Sequence, residues 1–264
     1  MREHAFLWAA AAFYAGGSAL TVRRLRAGGA SESLHRWNVA TLVLGFLATT
    51  GFLYLRGQNL GRCPLTNAME TTVFLMWSAV LFYLLVGPAY RVSFLGAFTA
   101  PLSLLLCLVA LLGLSDARAP IPDKHSPWVE FHAAIGVLAC GALGLAGVVG
   151  RMYLMQERQL KTRRLLPSFL EFPSLEQLDV IGLRLLLLGF AMLTVGMIGG
   201  EISYRVVGHW TAPKIAWAVA TWVGYGAMVV WRLRKMLNGR KAAQAAVYGF
   251  AAMLVTYWVA GVLR

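Results

Sequence analysis

The run Phe131-His-Ala-Ala-Ile-Gly136-Val-Leu-Ala-Cys140-Gly-Ala-Leu-Gly144-Leu-Ala-Gly147-Val-Val-Gly150-Arg-Met-Tyr153 carries no charge before Arg151. About 20 apolar residues cross a bilayer's hydrocarbon core, and this run supplies them. Its polarity does not alternate with period two, which argues against a β-barrel strand. In hydrocarbon a lone segment satisfies its backbone groups only as a helix. Gly141, Gly144, Gly147 and Gly150 recur every three residues, a small-residue spacing that lets helix backbones approach closely.

Outward from this run, seven more apolar stretches fall at 4–22, 38–55, 68–87, 94–114, 181–200, 213–231 and 242–262. With 131–153 they predict an all-α polytopic membrane protein of eight transmembrane helices. The chain of 264 residues is 59% apolar and 13% charged, and its mean hydropathy is +0.65. Soluble domains average about 45–50% apolar and about 25% charged. The balance excludes a disordered chain and leaves no room for a soluble catalytic domain, so residues 1–264 read as one integral membrane domain. Only Met1, Arg2 and Glu3 precede the first stretch. Without a basic leader and a clear small-residue cleavage site, it reads as a span rather than a signal peptide.

The formal net charge is +13, and its placement decides what it means. Eight spans put both termini on one side. One set of alternate loops holds Arg23, Arg24, Arg26, Arg36, Arg91, Arg151, Arg158, Lys161, Arg163, Arg164, Arg232, Arg234, Lys235, Arg240 and Lys241. The other set, with the termini, holds only Arg2, Arg56, Arg62, Arg118, Lys124, Arg205, Lys214 and Arg264. The richer set faces the cytoplasm, so both termini lie on the outer side of the cell's inner (cytoplasmic) membrane. Attraction to anionic membrane lipid follows as a secondary consequence, and no nucleic-acid partner is expected.

Local chemistry supports the boundaries. Asn67 with Glu70, and Ser174 with Gln177, have capping-box spacing before the third and sixth spans. Pro127 and Pro213 suit the first helical position. Met155-Gln-Glu-Arg-Gln-Leu-Lys161 is charged and helix-forming, and it extends the fifth helix beyond the membrane. Arg184 lies near the cytoplasmic end of its span, where it can snorkel.

Cys63, Cys107 and Cys140 are far apart, so zinc-ribbon, dithiol and covalent c-type heme motifs are excluded on spacing. Of five histidines, the topology places His125, His132 and His209 on the outer side. A lone histidine most often serves helix packing. Several on one face raise the odds of a ligand site, since neutral imidazole binds iron. Gly208-His209-Trp210-Thr-Ala-Pro213-Lys214-Ile-Ala-Trp217-Ala-Val-Ala-Thr-Trp222 is the densest chemical signal. Tryptophans at a span end form an interfacial belt in the simplest reading. Beside a histidine and a lysine, their flat rings could also stack on a porphyrin. Lys214 and Arg205 would then pair with its propionates.

The chain resembles the cytochrome c assembly (CcsA-like) membrane proteins. The residues carrying the likeness are Cys63-Pro-Leu-Thr-Asn-Ala-Met-Glu70, similar to the family's Pro-x-x-Asn-x-x-Glu opening of a span, and Leu95-Gly96-Ala-Phe-Thr-Ala-Pro101. Phe131-His132, Tyr153 to Lys161 and Pro173-Ser-Leu-Glu176-Gln-Leu-Asp179 continue it. So do Leu193-Thr194-x-Gly196-x-x-x-Gly200, the tryptophan segment and Gly239-Arg240-Lys-Ala-Ala243. The resemblance implies a protein that holds heme b non-covalently at the outer face, working with other cytochrome c assembly proteins and apocytochrome c. It places His132 on a family iron-ligand position, and His209, or less readily His125, could substitute for the second ligand. Trp210, Trp217, Trp222, Lys214 and Arg205 complete the cofactor-binding set.

Some positions depart from the family pattern. Ala212 replaces the aspartate of the tryptophan segment. Val229-Val-Trp231-Arg-Leu-Arg234 lacks a histidine on the seventh helix, and none follows the last span up to Arg264. These features resemble the shorter HemX/YpjD-type branch. The alternative reading is therefore a non-catalytic membrane regulator or assembly scaffold that does not itself attach heme, acting through residues 154–180. No nucleophile–base signature, phosphate loop or acid dyad is present, so no catalytic residue is assigned. If chemistry occurs, the chain is a heme lyase component rather than a stand-alone enzyme. A transporter would call for intramembrane acids or broken helices.

Overall fold

The computed structural model describes residues 2–26, 32–90, 95–113, 116, 127–162, 173–207 and 212–262. Among the described residues eight α-helices follow one another: α1 (Arg2–Arg26), α2 (Glu32–Leu60), α3 (Ala68–Tyr90), α4 (Leu95–Leu108), α5 (Pro127–Thr162), α6 (Leu175–Val207), α7 (Ala212–Leu233) and α8 (Gly239–Val262). A π-helical turn, Val109–Gly113, continues α4. Among the described residues there is no strand.

Among the described residues, six helices, α1 to α6 with the π turn included in the fourth, are long and apolar enough to cross a membrane. Helices α7 and α8 are long enough, at 22 and 24 residues. The chain is thus an all-helical, multi-pass membrane protein. At 1.5 Å per residue α5 is about 54 Å long, well beyond a hydrocarbon core of about 30 Å.

Two packing centres organise the bundle. The larger joins α1 to α6 through side chains such as Leu7, Phe52, Met76, Leu106, Leu145 and Ile181. The smaller joins α5, α6, α7 and α8 through Leu143, Leu186, Tyr225, Val229 and Met253. Helix α5 belongs to both, and its glycines make that possible. A β-carbon on Gly141 would lie 2.1 Å from Ser78 Oγ on α3, one on Gly144 would lie 2.7 Å from Phe250 on α8, and one on Gly150 would lie 2.7 Å from the Ala243 carbonyl oxygen.

The capping chemistry takes the expected form. Glu70 N donates to Asn67 Oδ1 at 2.8 Å. Ser174 and Gln177 exchange reciprocal bonds, Gln177 N to Ser174 Oγ and Ser174 N to Gln177 Oε1, both at 3.1 Å. These partners satisfy donors that a helix start otherwise leaves open.

Candidate functional site

Pro127 opens α5, which places His132 in its second turn, against α6. There α6 presents Gly196, Gly199 and Gly200, so the ring and its neighbours pack directly on backbone. Phe131 covers Gly199, and the imidazole covers Gly200. His132 Nδ1 lies 2.6 Å from the Gly196 carbonyl oxygen. A carbonyl only accepts, so Nδ1 carries the proton and the neutral ring's lone pair sits on Nε2. Fixing the tautomer through a backbone carbonyl is how ligating histidines are commonly oriented.

Trp128 and Phe131 stand beside this imidazole at the start of α5. Their rings meet edge to face at a centroid distance of 6.0 Å, and they are 45% and 43% exposed. The sequence reading used Phe131 only as part of the family likeness and gave Trp128 no role at the site, although their place at the mouth of a span was a usable signal.

The remaining site residues are spread out. Arg205, near the end of α6, pairs with Glu201 one turn earlier at 3.0 Å, both side chains exposed. Trp217 donates from Nε1 to Thr256 Oγ1 of α8 at 2.8 Å. Trp222 donates to Thr194 Oγ1 of α6 at 3.0 Å and tilts onto Phe190. Thr194 and Gly196 are two residues apart, about 200° around a helix. His132 and Trp222 therefore take opposite sides of α6, and the structure does not bring them together. Lys214 lies in the first turn of α7. His209 and Trp210, with His125, lie outside the described residues.

A buried ionic cluster occupies the same end of the bundle as His132. Arg56 of α2 is 1% exposed. It donates to Glu70 of α3 and to Glu3 of α1, each at 2.7 Å, and to Asp116. Glu70 also accepts from the Thr66 amide and hydroxyl at 2.7 Å. Asn59 donates to Glu3 at 2.9 Å, and His4 meets Asp116 at 3.1 Å. The Pro64–Asn67–Glu70 motif thus has a physical role: Asn67 caps α3, and Glu70 seats a guanidinium that clamps three helices. In the nearby connection, burial pushes the Cys63 thiol up to about 11, with Glu130 and Glu70 adding to the effect.

At the opposite end, three of the motif runs converge. Arg232, at the end of α7, pairs with Asp179 of α6 and donates to the Leu237 carbonyl at 2.9 Å. Glu157 of α5 meets Arg240 of α8 at 3.6 Å. Tyr153, Asp179, Arg232 and Gly239 line a cavity of about 40 Å³. That is room for a few waters and not for a macrocycle.

Among the described residues no group of three or more histidine, cysteine, aspartate or glutamate side chains is set to hold a metal ion. A bare ion needs several protein ligands. Heme iron takes one or two from the protein, because the macrocycle supplies the rest. A single oriented imidazole flanked by exposed aromatic rings therefore fits a heme, and does not fit a bare metal.

The protein-family model described as cytochrome C assembly protein matches residues 65–264. That match includes Asn67, Glu70, His132 and all of α3 to α8. Among curated relatives, the cytochrome c biogenesis protein CcsA of Prochlorococcus marinus (strain NATL1A) is 30% identical over 266 residues, covering 88% of this chain and 82% of its own length. The protein of the same name from strain MIT 9301 is 28% identical over 243 residues, with 82% and 78% covered. That of Synechococcus sp. (strain CC9902) is 30% identical over 239 residues, with 80% and 79% covered.

Proposed function

Because the chain belongs to the cytochrome c assembly protein family, we propose that it is a heme-handling protein that holds heme b non-covalently at the outer face of the inner membrane. In this reading all eight helices cross the bilayer, both termini lie outside, and the basic connections face the cytoplasm. The observation that carries the proposal is the Nδ1–H to Gly196 bond of His132, which leaves the iron-binding lone pair on Nε2.

Heme, when bound, would supply an iron that takes imidazole and the vinyl groups to which apocytochrome cysteines add. This chain's part is to bind and orient. His132 would hold the iron as one ligand, with His209 as a second. Arg205 and Lys214 would neutralise the propionates, as charge-assisted donors. Trp210, with the exposed Trp128 and Phe131, would cover the ring face and exclude water. Trp217 and Trp222 act at one remove, because their indole N–H groups tie α7 to α8 and to α6. Other cytochrome c assembly proteins and apocytochrome c are the partners.

The test is the reduced absorption spectrum of the purified protein, with and without added hemin, for the natural chain and for His132→Ala. Heme bands in the natural chain that are lost or shifted in the variant support the proposal. No heme in either sample after hemin addition overturns it.

The engagement of Trp217 and Trp222 in helix packing favours a second reading, a HemX-like membrane regulator or scaffold. Deleting the gene separates the two: covalent cytochrome c falls if the chain delivers heme, and is unchanged if it only regulates.

A further inference from the structure

The connection between α7 and α8 is strongly basic and has no acid in it. Arg232, Arg234, Lys235, Arg240 and Lys241 fall within ten residues, and no aspartate or glutamate interrupts them. Arg232 is bound to Asp179, and Arg240 faces Glu157. Among the described residues, no carboxylate pairs with Arg234, Lys235 or Lys241, and all three are exposed. The other long basic segment differs: residues 154–180 include Glu157, Glu171, Glu176 and Asp179, and Lys161 is held by Glu157 at 2.6 Å.

The backbone presents these charges in a fixed way. Lys235 N donates to the Arg232 carbonyl at 3.0 Å, and Met236 N donates to the Trp231 carbonyl at 2.9 Å. This is a Schellman closure with residue 235 at its left-handed position. Lys235 occupies it at φ 57, where glycine is the usual residue. The closure turns the chain back within a few residues. It leaves Leu233 and Met236 60% and 64% exposed on either side of the Arg234–Lys235 pair.

Paired cations between two outward-facing apolar side chains at the end of membrane helices match one chemistry. We infer that this turn is a binding site for an anionic glycerophospholipid, with the headgroup phosphodiester against Arg234, Lys235 and Lys241 and the acyl region against Leu233 and Met236. A soluble phosphate compound would use the charges and have no use for the apolar pair. The inference rests on α7 and α8 crossing the bilayer, and is independent of heme binding.

The test uses the full chain in mild detergent, titrated with phosphatidylglycerol or phosphatidylcholine and read by native mass spectrometry. Each basic side chain at an anionic membrane surface is worth about fivefold in binding. Arg234→Gln, Lys235→Gly and Lys241→Gln together should lower the preference for phosphatidylglycerol by about a hundredfold. Lys235→Gly suits the left-handed backbone, so the turn itself is preserved. Leu233→Ser with Met236→Ser should weaken phosphatidylglycerol binding with the charges intact. Arg158→Gln with Lys161→Gln should change neither. An undiminished preference in the triple variant overturns the proposal. So does equal competition by glycerophosphoglycerol, which would make the site one for soluble phosphate, or retention of neither lipid by the natural chain, which would argue against α7 and α8 as spans.

Discussion

His132 of α5 and Gly200 of α6 are in such close contact that a β-carbon on residue 200 would stand 2.9 Å from two atoms of the imidazole ring. The glycine therefore sets where the ring lies, and the Gly196 carbonyl sets which nitrogen holds the proton. Gly200→Ala should move the ring while keeping the histidine. Heme retained after purification should fall in Gly200→Ala, and the reduced spectrum should shift, in the direction seen for His132→Ala. Gly224→Ala, where a β-carbon meets nothing within 4 Å, should leave both unchanged. A natural spectrum in Gly200→Ala would mean that the orientation of His132 is immaterial.

Arg56 predicts a second effect, on stability. Its guanidinium is shared among Glu70, Glu3 and Asp116. Removing one member of a buried ionic set leaves the others uncompensated, at a cost of about 3–5 kcal/mol. Arg56→Met should sharply lower the thermal midpoint in detergent, or prevent accumulation in the membrane. Arg56→Lys should fall between, since an ammonium cannot fork across several carboxylates. A midpoint for Arg56→Met equal to that of the natural chain would show that the cluster contributes nothing.

Cys63 gives a pH-dependent prediction. Its thiol is raised to about 11 from an ordinary value of 9.0, first by burial and then by Glu130 and Glu70. The thiolate is the reactive form, so at pH 8 alkylation should be about a hundredfold slower than for an ordinary thiol. The rate should climb about tenfold per pH unit up to about pH 11, without a plateau near 9. Unfolding should restore ordinary reactivity. The same shift gives a linkage sign: the raised thiol favours the folded state below about pH 9, and that contribution is lost as pH rises toward 11. Mass spectrometry of the Cys63 peptide after timed iodoacetamide pulses reads the rate, and rapid labelling of the folded chain at pH 8 would contradict it.

What could be read from the sequence was mostly local in the chain. The caps Asn67–Glu70 and Ser174–Gln177 each join residues three apart, and an α-helix start allows few other partners for them. The overshoot of α5 past the bilayer was visible in Met155 to Lys161, because charge ends an apolar run at a definite residue. The Arg56 cluster was invisible for the opposite reason. Arg56 draws its carboxylates from Glu3, Glu70 and Asp116 on separate segments, and only the folded bundle brings them together. Trp217 and Trp222 show a middle case. Their aromatic character was plain, but a ring face that could cover a macrocycle and an indole N–H that ties two helices look alike until Thr256 and Thr194 are placed beside them. His132 was legible as a candidate, while its tautomer depended on a carbonyl 64 residues away.

The glycine ladder of α5 supplies the last prediction, and its sign depends on what each glycine faces. Replacing glycine by alanine inside a helix gains about 1 kcal/mol where space is open. At Gly136 a β-carbon meets nothing within 4 Å, so Gly136→Ala should raise the thermal midpoint. At Gly150 the same atom would stand 2.7 Å from the Ala243 carbonyl oxygen and 3.3 Å from its α-carbon. Backbone cannot rotate aside as a side chain does, so α8 must move away from α5. Overpacking of this kind costs about 1–3 kcal/mol, which exceeds the propensity gain. Gly150→Ala should therefore lower the midpoint. It should also loosen the neighbouring contact of Glu157 with Arg240, since both pairs join α5 to the first turns of α8. Gly144→Ala should be milder, because its nearest neighbour is the Phe250 ring, which can shift. Thermal unfolding of the three variants in one detergent gives the expected order, Gly136→Ala above Gly144→Ala above Gly150→Ala. An equal or raised midpoint for Gly150→Ala would show that α8 does not pack on α5 through these backbones.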